Sequence, residues 1–287
     1  PSRTVPVRCV MTGPGGTQWR PRKGLGQNFL VNEGIARRIV DAAGIAPHET
    51  VLEIGPGKGA LTRWLCEKAA RVIAVELDPV LARELRLNGP ASNLVVVEQD
   101  VLRTDLAALG REYGIDRWHI AGNLPYVIGS RLLMRLVEQA RVVERATVML
   151  QYEVAERILA PSGSRTYGLL SVLLQATGRV RREFRVGAAA FRPAPKIQSL
   201  VFTWESTPAP DLDIPALIAT TKAAFNQRRK RLDNALKLLG VSADVIAEAC
   251  RRAGIDPGNR AEQVSPSEFV RLSRACNELG VFPAEPR

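Results

Sequence analysis

Two histidines and four cysteines are all that this 287-residue chain offers to a transition metal or a disulfide. His48 and His119 lie far in sequence from Cys9, Cys66, Cys250 and Cys276, and no two cysteines form a C-x-x-C pair. Neither a metal site nor a disulfide framework is expected. No apolar run reaches the roughly 18 residues of a membrane-spanning helix, and the N-terminus lacks the basic, apolar, small-residue order of a secretory signal. A cytoplasmic protein without membrane contact is expected. Internal repeats and low-complexity tracts are missing too. Acid is in short supply, leaving a net charge of +11. The excess is local: residues 1–30 carry +5 with no acid, residues 179–196 another +5, and residues 207–287 only +2. Charge concentrated in this way points to phosphates of a polyanion, whereas charge serving solubility would be spread.

What is present is a regular alternation. Residues 1–22 carry Pro, Gly and Thr without periodicity and are expected to form a flexible N-terminal arm. Ile35, Ala36, Ile39, Val40 and Ala43 recur at helical spacing. Short apolar runs follow from Val51 to Ile54, Val72 to Val75, Leu94 to Val97, His119 to Ala121 and Thr147 to Leu150. Helical segments at 61–68, 80–87 and 131–138 separate them. Strands alternating with helices predict βαβ units, hence an α/β, Rossmann-like parallel sheet with helices on both faces. After a helix over 169–176, segments 179–186 and 199–204 are expected as two further strands, joined by a Pro-rich loop from Phe191 to Pro195 and closing one sheet edge. Ser206 to Asp211 has linker composition, and everything beyond it is helical in pattern, at 214–226, 229–239, 242–253 and 266–278. The expected division is an arm (1–22), a sheet domain (23–206) and a small all-helical C-terminal domain (207–287).

The chemistry gathers at the predicted strand ends. Glu53-Ile-Gly55-Pro-Gly57-Lys-Gly59 follows the first sheet strand and opens a helix, so its glycines allow a tight turn and close approach of backbone to a ligand. This is not the G-x-G-x-x-G spacing of a dinucleotide site, which argues against NAD and for a nucleoside cofactor with no pyrophosphate to cradle. Glu76 ends the second strand, where a carboxylate can accept from both ribose hydroxyls, and Asp100 ends the third, within reach of an adenine amine. The fourth runs into Asn123-Leu124-Pro125-Tyr126. An exocyclic adenine amine is a poor nucleophile because its lone pair is delocalised into the ring. The Asn123 side-chain oxygen and a neighbouring main-chain carbonyl can accept its two hydrogens and favour the more tetrahedral nitrogen that attacks a methyl sulfonium. No strong general base is needed, since the nitrogen loses its proton readily once the methyl has arrived. Tyr126 offers a face on which a splayed-out base can stack, and Phe191 is expected to supply a second.

The chain resembles the KsgA/Dim-type ribosomal RNA adenine dimethyltransferase family. The motifs carrying the resemblance are Gly26-Gln-Asn-Phe-Leu30, Glu53 to Gly57, Glu76-Leu-Asp78, Gln99-Asp100, Gly122 to Tyr126, Met149 to Gln151, Tyr167-Gly168 and Phe191 to Ser199, with Gln227 to Lys230 and Arg260 to Glu262 beyond. They span roughly residues 23–275. The resemblance implies a class I methyltransferase sheet whose S-adenosylmethionine contacts fall on Asn28, Leu30, Gly55, Glu76, Asp100 and Asn123. Its target-adenine contacts fall on Asn123, Leu124, Tyr126 and Phe191. It also implies that Gln27 to Leu30 closes over the site. The implied substrate is two adjacent adenines in a hairpin loop near the 3′ end of small-subunit ribosomal RNA, dimethylated within a pre-ribosomal small subunit by a monomer. Val127 and Tyr152 depart from the family pattern beside the reactive loop. Candidate phosphate contacts are Arg179, Arg181, Arg182, Arg185 and Lys196, and Arg228, Arg229 and Lys230. A related large-subunit adenine methyltransferase would more often carry Ile where Leu124 stands. A DNA adenine methyltransferase would need a sizeable inserted recognition domain. A binding factor that has lost catalysis would not need Asn123 to Tyr126 intact.

Overall fold

A computed structural model describes residues 28–282. The arm expected over 1–22, together with Cys9, Gly26 and Gln27, lies outside the described residues. The first half alternates β1 (Phe29–Leu30), α1 (Glu33–Ala43), β2 (Thr50–Ile54), α2 (Thr62–Lys68), β3 (Arg71–Glu76), α3 (Pro79–Asn88), β4 (Leu94–Glu98), α4 (Leu106–Tyr113), β5 (Trp118–Asn123), α5 (Gly129–Glu138) and β6 (Val143–Gln151). Then come α6 (Tyr152–Leu159), α7 (Leu169–Ala176), β7 (Gly178–Val186), β8 (Phe191–Arg192) and β9 (Ser199–Ser206). The helical remainder is α8 (Ile214–Asn226), α9 (Leu232–Ala235), α10 (Ala243–Ala253) and α11 (Pro266–Glu278).

Seven strands form one sheet in the order β4-β3-β2-β5-β6-β9-β7. β2 to β6 pair in parallel, and β9 lies antiparallel between β6 and β7. The order reverses between β2 and β5, so the loops leaving those two strands part and open a crevice at the carboxyl end of the sheet. Successive residues face opposite layers: Val51 and Val72 pack with α1 and α2, while Leu52, Ile54 and Ile73 pack under α5 and α7. Local caps set the helix starts. Asn32, Asp78, Asp105 and Asp213 each accept a backbone N–H of the helix that follows.

The layer on the α5 and α7 side continues without a break through Leu212, Leu217, Leu236, Ile246, Phe269 and Leu272. The core of the helical remainder is therefore continuous with that of the sheet. Two expectations are corrected. The helix expected over 229–239 is broken: residues 227–230 turn back (Lys230 N–H to Gln227 O, 2.8 Å), Arg231 is extended and bridges Arg260, and only the four residues of α9 are α-helical before a 3₁₀ turn over Leu236–Leu239. Backbone pairing with the 257–260 segment outweighs helical periodicity there. The supposed loop from Phe191 begins instead as β8, paired antiparallel with β1 (Leu30 opposite Phe191).

Candidate active site

The crevice is lined by Asn28 to Leu30, Glu53 to Lys58, Glu76-Leu77, Gln99 to Val101 and Asn123 to Ile128, and holds about 1100 Å³ of space, partly open to solvent. All six expected cofactor positions, Asn28, Leu30, Gly55, Glu76, Asp100 and Asn123, line it.

The glycine turn is dictated sterically. Gly55 and Gly57 have φ of 65° and 59°, a region that costs an L-residue free energy. A Cβ on Gly57 would also lie 3.1 Å from the Phe29 ring, so the turn packs against the β1 segment. Glu76 Oε2 accepts from Gly57 N–H (3.0 Å) and Oε1 from Asp78 N–H (2.9 Å). Each oxygen keeps acceptor capacity for a ligand hydroxyl. Burial raises the Glu76 carboxyl above the usual carboxylate range, and these backbone N–H bonds pull it back in part. Asp100 Oδ1 caps the turn after β4 through Leu102 N–H (3.0 Å), which fixes the carboxylate at the rim.

Glu53, the acid that precedes the glycine turn, was not among the expected cofactor contacts. It is 1% exposed, and its Oε2 has no hydrogen-bond partner among the described residues. Loss of solvent, opposed by the neighbouring Thr62 hydroxyl and reinforced by the Glu76 charge, pushes this carboxyl up to about 8. Its only signal in the sequence was an acid immediately before the glycine turn.

Asn123 ends β5, and its Nδ2 donates to the Asn28 carbonyl at 3.3 Å. That bond selects one of two amide orientations and leaves Oδ1 as a free acceptor. Leu124 is 1% exposed and is stitched to β6 by its N–H to Met149 O (3.1 Å), so its side chain is core and its main chain is what faces the cleft. Tyr126 is half-buried on the cleft wall, with its hydroxyl 2.7 Å from Ser199 Oγ. Burial raises its phenol above the ordinary value. Val127 beside it is 63% exposed. Phe191 is placed differently from expectation. Its ring is fully buried with Val186, Val201 and Leu30, and it does not line the cleft. Pairing with β1 turns it into a prop beneath Leu30 and offers no free face to a base. No histidine is near: His119 sits at the start of β5, at the opposite end of the sheet, between Glu49 (3.3 Å) and Glu144 (3.6 Å).

The candidate phosphate contacts separate into groups. β7 runs parallel to β6, so Arg185 lies at the cleft end while Arg179 lies about 20 Å away at the other. Arg181 pairs with Glu183 (2.9 Å) and Arg182 with Glu156 (2.5 Å). Arg185 bonds the Tyr152 hydroxyl and stacks on that ring. Lys196 is exposed in the loop before β9. Arg228 is spoken for: its Nη2 donates to the carbonyls of Arg165 and Tyr167, both at 2.6 Å, and its Nε meets Glu262 at 3.2 Å. Arg229 and Lys230 beside it are exposed. No helix among the described residues is long and apolar enough to cross a membrane, and these residues contain no cluster suited to a metal ion.

Comparison with known proteins adds a family to this geometry. A family model described as ribosomal RNA adenine dimethylase matches residues 19–278. The protein named ribosomal RNA small subunit methyltransferase A of Geobacter metallireducens is 41% identical over 270 residues, covering 91% of this chain and 97% of the relative. Among solved structures, a dimethyladenosine transferase from Plasmodium falciparum aligns with a TM-score of 0.71 at 25% identity, over 88% of this chain and 98% of that one. The 23S rRNA methyltransferase ErmE aligns with a TM-score of 0.64 at 26% identity, over 87% and 100%.

Proposed function

The chain belongs to the ribosomal RNA adenine dimethylase family and is an S-adenosylmethionine-dependent methyltransferase acting on adenine of ribosomal RNA; from that premise we propose which nucleotides it modifies and which residues do the work. Its targets are two adjacent adenosines in the loop of a hairpin near the 3′ end of small-subunit RNA. It meets them in an assembling small subunit, in the cytoplasm and as a monomer. Small-subunit RNA is favoured over large because relatives matching this chain at about 41% identity carry a small-subunit name, whereas the large-subunit enzyme stands at 26%.

The residues present fit the cofactor. Glu76 offers two acceptors at the end of β3, Gly55 and Gly57 bring backbone to the ligand without side chains in the way, and Asp100 holds the rim beyond. The unpartnered Glu53 oxygen is a place for the cationic methionine end. When bound, S-adenosylmethionine supplies an electrophilic methyl group on a positively charged sulfur. Asn28 and Leu30 roof the site from β1, whose pairing with β8 rests on Phe191.

The observation that carries the reading is the Asn123 amide, whose Nδ2 is engaged by the Asn28 carbonyl so that Oδ1 is the acceptor it has to offer at the end of β5. Asn123 Oδ1 and the Leu124 carbonyl accept the two hydrogens of the adenine amine, localising its lone pair. Tyr126 stacks the base, which must leave its helix to reach the cleft. Exposed Arg229, Lys230 and Lys196, with Arg185 at the cleft end of β7, hold RNA phosphates. The test is to incubate the protein and labelled S-adenosylmethionine separately with small and large subunits lacking the modification, and to map the label. Label on N6 of two adjacent adenosines near the 3′ end of the small-subunit RNA is expected. Label confined to the large subunit would remove the substrate assignment.

A further inference from the structure

We infer that Ser199 is a positioning residue for the methyl transfer, holding the Tyr126 ring at the angle on which the target base stacks. The inference rests on the reading of Tyr126 as the stacking face. Tyr126 lies in the irregular stretch 124–128, between β5 and α5, where the main chain turns through an Ile128 N–H to Pro125 O bond of 3.2 Å. Two side-chain rotations separate its ring from this loop, and no regular backbone ladder holds it. The restraint acts at the far end of the ring: the phenol oxygen lies 2.7 Å from Ser199 Oγ.

Ser199 itself cannot drift. It is fully buried at the first position of β9, paired with Gln151 of β6 on one side and Val186 of β7 on the other. The adjacent Gln198 carbonyl accepts from Tyr152 N–H (2.9 Å), tying this corner to the start of α6. The rigid part of the sheet therefore reaches the Tyr126 ring through one hydroxyl–hydroxyl bond, and the ring takes its orientation from a strand residue that does not itself line the cleft. A stacking face held before the base arrives leaves less ordering to be done on binding and places the amine against Asn123.

The test compares Ser199→Ala, Tyr126→Phe, the double variant and Tyr126→Ala in the full-length protein, with S-adenosylmethionine and unmodified small subunits. Each half of the bond removed singly should lower turnover about three- to tenfold, chiefly in kcat, with cofactor affinity unchanged. The double variant should be no worse than either single one, because both remove the same bond. Multiplying effects in the double variant, or a Ser199→Ala enzyme with normal kcat beside an impaired Tyr126→Phe, would overturn the inference. So would a loss in Ser199→Ala that appears equally in cofactor affinity and thermal midpoint. Tyr126→Ala separates the two layers: normal turnover there would instead remove Tyr126 as the stacking face.

Discussion

Polar groups serve different ends in the cleft and at the junction where the helical remainder docks against the sheet. At the junction several of them tie the two parts together. Arg228 serves the carbonyls of residues 165 and 167, Arg141 those of 210 and 212, and the Tyr167 hydroxyl the Val264 carbonyl. In the cleft they are left with capacity to spare: Glu53 keeps an oxygen without a hydrogen-bond partner among the described residues, and the Glu76 carboxylate, held by the Gly57 and Asp78 N–H groups, retains lone pairs for a ligand. Buried polar groups are normally satisfied within the protein, so a carboxylate that is 1% exposed and lines the cleft with an oxygen left over is a candidate for completion by a ligand. Positive charge alone does not make this distinction. Arg228 and Arg229 are neighbours in a run of four basic residues and both reach solvent, yet Arg228 holds two backbone carbonyls as a strut.

The contrast can be broken from either side. Glu76→Ala should have the largest effect, weakening cofactor binding in a titration by about 10- to 100-fold, the worth of hydrogen bonds to a charged group; an unchanged affinity would remove Glu76 from the site. Glu53→Gln should act with the opposite sign on stability. The folded protein holds the Glu53 proton up to about pH 8, whereas the unfolded chain releases it near 4.5. Glu53 therefore costs stability increasingly as pH rises through that window. Glutamine escapes the cost, so cofactor-free Glu53→Gln should melt several degrees higher at pH 8, on the order of 2 kcal/mol, and close to wild type at pH 5. A pH-independent difference would contradict this. Removal of a satisfied strut should destabilise instead: Arg228→Ala is expected to cost about 1–2 kcal/mol by thermal or denaturant unfolding, the exposed Glu262 pair adding little. Smallest in stability terms are Arg229→Ala and Lys230→Ala, within about 0.5 kcal/mol of wild type. They should each lower the salt dependence of RNA binding by about one phosphate contact. A salt slope that falls with Arg228→Ala but not with these two would reverse the assignment.

Much of this was legible in the chain. Parallel strands read as short apolar runs, so β2 to β5 were found from pattern alone, with Glu76 and Asn123 at the ends of β3 and β5 and Asp100 two residues beyond β4. β1 and β8 were not, because two-residue strands carry no period, and with them went the true position of Phe191. α4 and α6 were overlooked although α4 has an Asp105 cap and a left-handed Gly114 at its ends. The helix expected over 229–239 misled because its apolar spacing is genuine, while the pairing that interrupts it lies about 30 residues away in sequence. The Asn28–Asn123 and Tyr126–Ser199 bonds join residues 95 and 73 positions apart, and no local signal announces such pairs.

The central claim is that Asn123 acts on the reacting amine, and its most direct test separates binding from transfer in one variant. Asn123→Ala should bind S-adenosylmethionine with nearly wild-type affinity, yet transfer methyl groups to unmodified small subunits in a single turnover on the order of 100-fold more slowly. Near-normal transfer, or a loss of cofactor affinity as large as the loss in rate, would contradict it.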